Sequence, residues 1–149
     1  MTNKITSVLN ELVETSKDGE KGFRQAAEDA KNPELKALLA RRAADCASGA
    51  AQLQQQVAAL GGKPEDGGTA AGAVHRGWVS LKAAVAGRTD LAILEECERG
   101  EDVAKSRYQD ALKEDLPPQL LALVQLQYEG VVRNHDQIRD LRDRLRAAG

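Results

Sequence analysis

Aromatic residues are scarce in this chain of 149 residues: one Trp, one Phe and two Tyr, 3% of the total. Its core must therefore be built from Ala, Leu and Val. Two Cys and two His give no zinc-finger spacing and no disulfide framework. No apolar run approaches the roughly 18 residues of a membrane span. Met1 to Ile5 lacks the basic-then-apolar pattern of a secretion signal. An excess of charge of one sign is missing as well, with 21 basic residues against 23 acidic and a net charge of −2. That balance argues against a nucleic-acid or anionic-membrane partner held by bulk electrostatics. No phosphate-binding Gly loop, nucleotide fingerprint or nucleophile–base pairing is present, so no catalytic residue is assigned. What remains is a globular balance of 42% hydrophobic and 30% charged residues. The length suits one domain over 1–149 and is too short to expect two. A soluble, cytoplasmic, helical protein is the expectation.

Pro33, Pro64, Pro117 and Pro118 interrupt no periodic segment, and seven of the thirteen Gly lie between Gly61 and Gly87. The segment 3–31 carries Ile5, Leu9, Leu12, Ser16, Gly19, Phe23 and Ala26 at spacings of three and four, the amphipathic helical template. Asn32-Pro33-Glu34 then reads as an N-cap, a first-turn Pro and an acid near the positive end of the next helix dipole. Over 33–60 the stripe is Leu35, Leu38, Arg42, Cys46, Gly49, Leu53 and Val57, and Gly61-Gly62 ends it as a left-handed cap would. A shorter helix is expected over 69–86. Thr89 or Asp90 caps the segment 90–113, with Leu91, Leu94, Glu98, Glu101, Tyr108 and Leu112 on one face. After Pro117-Pro118 the segment 117–147 runs through Leu120, Val124, Gln127, Val131, His135, Ile138, Leu141 and Leu145.

Four such helices extend roughly 36–45 Å each at a rise of 1.5 Å per residue. Their apolar faces can be buried only against one another, which predicts an all-α four-helix bundle. Breaks of a few residues make two antiparallel hairpins. The connector 61–89, carrying its own short helix, is long enough to run back along the bundle, the ferritin-like arrangement. The hairpins look related: Lys17-Asp18-Gly19-Glu20 matches Glu98-Arg99-Gly100-Glu101. Gly costs about 0.8–1 kcal/mol inside a helix, so two at matched heights point to close packing or a nearby ligand.

Polar residues then interrupt the core stripes. Glu20, Arg42, Glu98, Glu101 and His135 all fall near the middle of their helices, and aligned hairpins would bring them into one layer. A buried carboxylate must be paired, metal-bound or protonated. The preferred reading is an ionic network, with Arg42 as counter-ion to Glu20 or Glu101 and His135 completing the hydrogen bonds. The competing reading is a metal site of Glu20, Glu101 and His135 holding Fe, Mn or Zn, with Tyr108 nearby. Against it, the di-iron pattern needs Glu-x-x-His on two helices. Here 33–60 contains no His, and Val132 stands three residues before His135.

On the crossover, His75 and Trp78 are either packing residues or a binding or gating element at the bundle rim. Cys46 and Cys97 read as buried thiols. The alternating charges from Arg139 to Arg146 suit a solvated helix face or the edge of a homodimer.

Four stretches carry a family resemblance: Leu9 to Ala27, His75-Arg76-Gly77-Trp78, Glu95 to Asp102 (with Glu-Arg-Gly-Glu-Asp its most specific part) and His135-Asp136. Together they resemble an uncharacterised bacterial family of ferritin-like four-helix-bundle proteins, a domain of unknown function. The resemblance implies a ferritin-like fold in a bacterial cytoplasmic protein. Through the wider superfamily it also implies metal binding and a role in stress or stationary phase. The missing Glu-x-x-His motifs depart from any ferroxidase pattern.

Overall fold

Asn32 and Pro33 fix the first turn of the bundle. The Asn32 side chain accepts hydrogen bonds from the backbone N–H groups of Glu34 and Leu35, and Pro33 occupies a first-turn position where its missing N–H costs nothing. The structure, a computed structural model, describes residues 2–65 and 89–148. Among them four helices occur: α1 (Thr2–Asp29), α2 (Pro33–Ala59), α3 (Asp90–Leu112) and α4 (Pro118–Ala148). Gly61, at φ 80°, supplies the left-handed residue after α2. Thr89 caps α3 by accepting from the Ala92 N–H. Asp90 does a second job, taking the N–H groups of Lys31 and Asn32 and so tying the α1–α2 turn to the start of α3.

Cross-helix contacts settle the topology. Along α1 and into the turn that follows it, Lys4, Glu11, Ser16 and Lys31 meet Glu114, Arg107, Tyr108 and Asp90, so α1 and α3 run antiparallel side by side. Tyr108 to Gln127 and Arg146 to Glu95 do the same for α3 and α4. At its far end α2 lies beside the first half of α1, where Asn10 donates to the Lys63 carbonyl. The end of α2 and the beginning of α3 therefore sit at opposite ends of the bundle, joined by one long connection. The expected crossover helix at 69–86, with His75 and Trp78, lies outside the described residues.

The α1 stripe is buried as expected, through Leu9, Leu12, Ser16, Gly19, Phe23 and Ala26. On α2 the buried line differs. It runs Leu35, Leu39, Ala43, Cys46, Ala50, Leu53 and Val57, leaving Leu38, Arg42 and Gly49 on its flank. At mid-length the reason is steric: Ala43, Cys46 and Ala50 let α2 come close to α1, which Arg42 in the same place would prevent. A Cβ added to Gly19 would stand 3.0 Å from the Cys46 sulfur. Gly19→Ala is accordingly expected to destabilise by about 1 kcal/mol or less, because overpacking is offset by better helix propensity. In a Cys46→Ala background the same change should become stabilising. Chemical denaturation of the four proteins reads this sign reversal, and equal effects in both backgrounds would refute the close approach.

The core divides into two apolar halves. One gathers Phe23, Ala26, Leu35, Leu39, Ile93, Leu94, Cys97 and Ile138. The other gathers Leu9, Leu12, Leu53, Val57, Ala104, Tyr108, Val124 and Val131. Charged and polar side chains lie between them.

Candidate functional site

Glu101 is the centre of that polar layer. It projects from the middle of α3, between Cys97 and Ala104, and is only 2% exposed. From α2 the Arg42 guanidinium reaches it diagonally through the bundle, with Nη2 3.3 and 3.4 Å from the two carboxylate oxygens. From α4 the Asn134 amide donates to Oε2 at 3.0 Å. Arg42 also lies over the Phe23 ring, 5.6 Å from its centroid, a cation–π contact that gains strength when desolvated. Burial pushes the Glu101 carboxyl above its usual range, with Arg42 and Asn134 countering only part of the effect. Burial is the largest single influence on the Arg42 pKa and would lower it, but the summed effect of its neighbours, Glu101 first among them, raises it and keeps the guanidinium charged.

A second set of polar contacts lies one turn or two below and links all four helices. Tyr108 donates to Gln127 Oε1 at 2.8 Å and contacts the Ser16 hydroxyl at 3.4 Å. Gln127 in turn donates to the Gly49 carbonyl and to Gln52. Burial pushes the Tyr108 phenol up to about 12 and the Cys46 thiol up to about 12. Cys97 is shifted in the same direction by the same cause. Both cysteines are free and buried, so neither has thiolate character at neutral pH.

Of the five residues expected in one layer, the structure brings Arg42 and Glu101 into direct contact. Glu20 instead turns to the edge of α1, where it pairs with Arg24 at 2.7 Å and with Lys17. The close α1–α2 approach at Gly19 leaves no room for a carboxylate between those helices. Glu98 lies one turn from Glu101 and pairs with Arg142 of α4. His135 is buried, but its Nε2 meets Asp102 at 2.6 Å and its Nδ1 faces Asp136. It does not complete the hydrogen bonds of Glu101; Asn134 does.

Asn134 is the residue that the sequence reading passes over. A strict alternation of fours and threes from Leu120 through Val124, Gln127 and Val131 lands on Asn134 and then Ile138, and that signal was available. His135, one residue and 100° further round, faces the adjoining Asp102 instead.

The donor set does not fit a metal ion. The carboxylate of Glu101 already faces a guanidinium and an amide N–H, both of which would repel or misdirect a cation. Glu20 and His135 are engaged elsewhere. Among the described residues no group of three or more His, Cys, Asp or Glu is placed to hold one.

The four helices, their order and the polar layer between two apolar halves define a ferritin-like bundle. Residues 4–114 match the family described as Domain of unknown function (DUF2383), and the chain belongs to that family. Among solved structures it is similar to a two-domain protein from Anabaena variabilis ATCC 29413 containing DJ-1/ThiJ/PfpI-like and ferritin-like domains. The TM-score is 0.79 at 13% identity, over 100% of this chain and 39% of that one. The chain thus spans well under half the length of that two-domain protein. It is also similar to a mutant of Mycobacterium smegmatis Dps1, with a TM-score of 0.79 at 14% identity, over 95% of this chain and 96% of that one. No curated protein matches the sequence. Among the described residues no helix is long and apolar enough to cross a membrane.

Proposed function

We propose that this chain is a single, non-enzymatic ferritin-like domain of the bacterial cytoplasm in which a resident guanidinium does the work of an internal cation. The observation that carries the reading is the contact of Arg42 with both oxygens of buried Glu101. A fixed side-chain cation neutralises the carboxylate at every metal concentration, so the fold does not depend on metal supply. Neither Arg42 nor the Asn134 N–H can be titrated away near neutral pH, which suits a constant structural charge and not one exchanged during turnover. The family resemblance supplies the setting, a role in stress or stationary phase.

Elemental analysis of protein purified without chelator tests the reading. It should contain no stoichiometric Fe, Mn or Zn, and adding any of them should leave the melting temperature unchanged, since a ligand specific to the folded state would raise it. Stoichiometric metal that disappears in Glu101→Gln would overturn the proposal in favour of a metal-handling protein.

A further inference from the structure

The helices α2 and α4 touch only sparingly, and the space between them forms a cleft of about 610 Å³, within the range of roughly 300–1,000 Å³ usual for ligand sites. Its floor comes from α1 and α3, with Ser16, Glu101 and Tyr108 facing it; Gly49 and Gly130 keep its two walls low. Three arginines line it: Arg41, Arg42 and Arg133.

Their pairing sets two of them apart. Arg24, Arg99, Arg107, Arg139, Arg142 and Arg146 each have a carboxylate partner. Arg41 and Arg133 have none among the described residues; Arg144 has none either, but it lies outside the cleft. The Arg133 guanidinium lies over Gly130, where an added Cβ would be 3.7 Å from Nη2. Arg42, deeper in, spends Nη2 on Glu101, and its Nε is buried without a hydrogen-bond partner. Two carboxylates line the same cleft: Glu101, already engaged by Arg42, and Asp45. Three cations against two anions leave the cleft positive on a chain whose net charge is −2. Apolar surface completes it, from Leu38, Val131 and Leu126, the last 63% exposed at the lip.

We propose that this cleft binds a small organic oxyanion, a carboxylate or phosphate ester with a short apolar body, gripped at its mouth by Arg41 and Arg133. Planar guanidinium forks match carboxylate and phosphate oxygens bidentately, and a metal cation would be repelled by the same groups. The apolar lip accounts for a body beyond the bare anion. The site goes beyond the counter-ion reading and does not need it, because Arg41 and Arg133 take no part in the Arg42–Glu101 contact.

Calorimetric titration of the full chain with benzoate, phenyl phosphate and inorganic phosphate tests it. One saturable site is expected for benzoate or phenyl phosphate, with a dissociation constant no weaker than the millimolar range, and the tighter of the two identifies the oxyanion. Inorganic phosphate should bind at least about tenfold more weakly than phenyl phosphate. The double variant Arg41→Gln/Arg133→Gln should lose about tenfold or more in affinity with an unchanged melting curve, since both side chains are exposed. Leu126→Gln should weaken benzoate or phenyl phosphate while leaving any residual inorganic phosphate binding as it was. No saturable heat with any probe up to about 10 mM, or an affinity indifferent to the arginine variants, overturns the proposal. Inorganic phosphate binding as tightly as phenyl phosphate overturns it too. None of these outcomes alters the metal content or melting behaviour by which the counter-ion reading is judged.

Discussion

Arg42→Met is expected to lower stability by about 3–5 kcal/mol at pH 8, the cost of leaving a buried carboxylate without its partner. At roughly 2–4 °C per kcal/mol for a chain of this size, the melting temperature should fall by about 10 °C. The pH dependence follows from the direction of the Glu101 shift. Its folded pKa already lies above the ordinary carboxylate value, so between that value and the folded pKa the native chain holds more protons than the unfolded one. Stability therefore falls as pH rises through this window. Removing Arg42 pushes the folded pKa higher and widens the window. The deficit of Arg42→Met relative to the parent should consequently be largest at pH 8 and shrink towards pH 5.

Adding Glu101→Leu to Arg42→Met should recover most of the loss. A well-packed apolar replacement of a buried pair is often neutral or stabilising by about 1–4 kcal/mol. Urea unfolding of the three proteins at both pH values checks the prediction. A loss under about 1 kcal/mol that is equal at pH 5 and pH 8 would show that the pair is not buried as described.

Phe23→Ala should be comparably damaging, at about 3–5 kcal/mol. Phe23 is the largest side chain with no exposed surface, and its neighbours in that half of the core among the described residues are aliphatic or thiol side chains such as Ala26, Leu39, Cys46 and Ile93, which relax only partly into the space left. It also provides the face on which Arg42 rests. Two effects are therefore combined, a cavity in one half of the core and the loss of a cation–π contact. Phe23→Leu separates them, since it keeps much of the volume and removes the ring. Its cost in the parent should exceed its cost in an Arg42→Met background by about 0.5–2 kcal/mol. A double-mutant cycle with no coupling would show that the ring only fills space.

The polar layer gives the two halves of the core a defined register. Glu101 must meet Arg42 and Asn134 at one height, and these contacts join α2, α3 and α4 between the two apolar halves. Which carboxylate holds that place was not legible in sequence. Glu20 and Glu101 stand at matched positions after Gly19 and Gly100, and local pattern treats them alike. The choice falls to Glu101 because α1 closes tightly on α2 while α2 and α4 stay apart, and only the open side admits a guanidinium. The same asymmetry moved the buried stripe of α2 from Leu38 and Arg42 to Leu39 and Ala43. A helix offers two adjoining stripes at three-four spacing, and its neighbours select between them.

Periodicity, the Asn32-Pro33 and Gly61 signals and the lengths of the breaks were enough to specify four helices, their pairing in two hairpins and the ferritin-like order, because these depend on local propensity and on the need to bury one face of each helix. The partners of the charged side chains were decided only in three dimensions. A rotation of one residue, 100° about a helix axis, separates Asn134 at the buried carboxylate from His135 at Asp102. Spacing along a single strand of sequence does not fix that rotation, which is set by how closely the four helices approach one another.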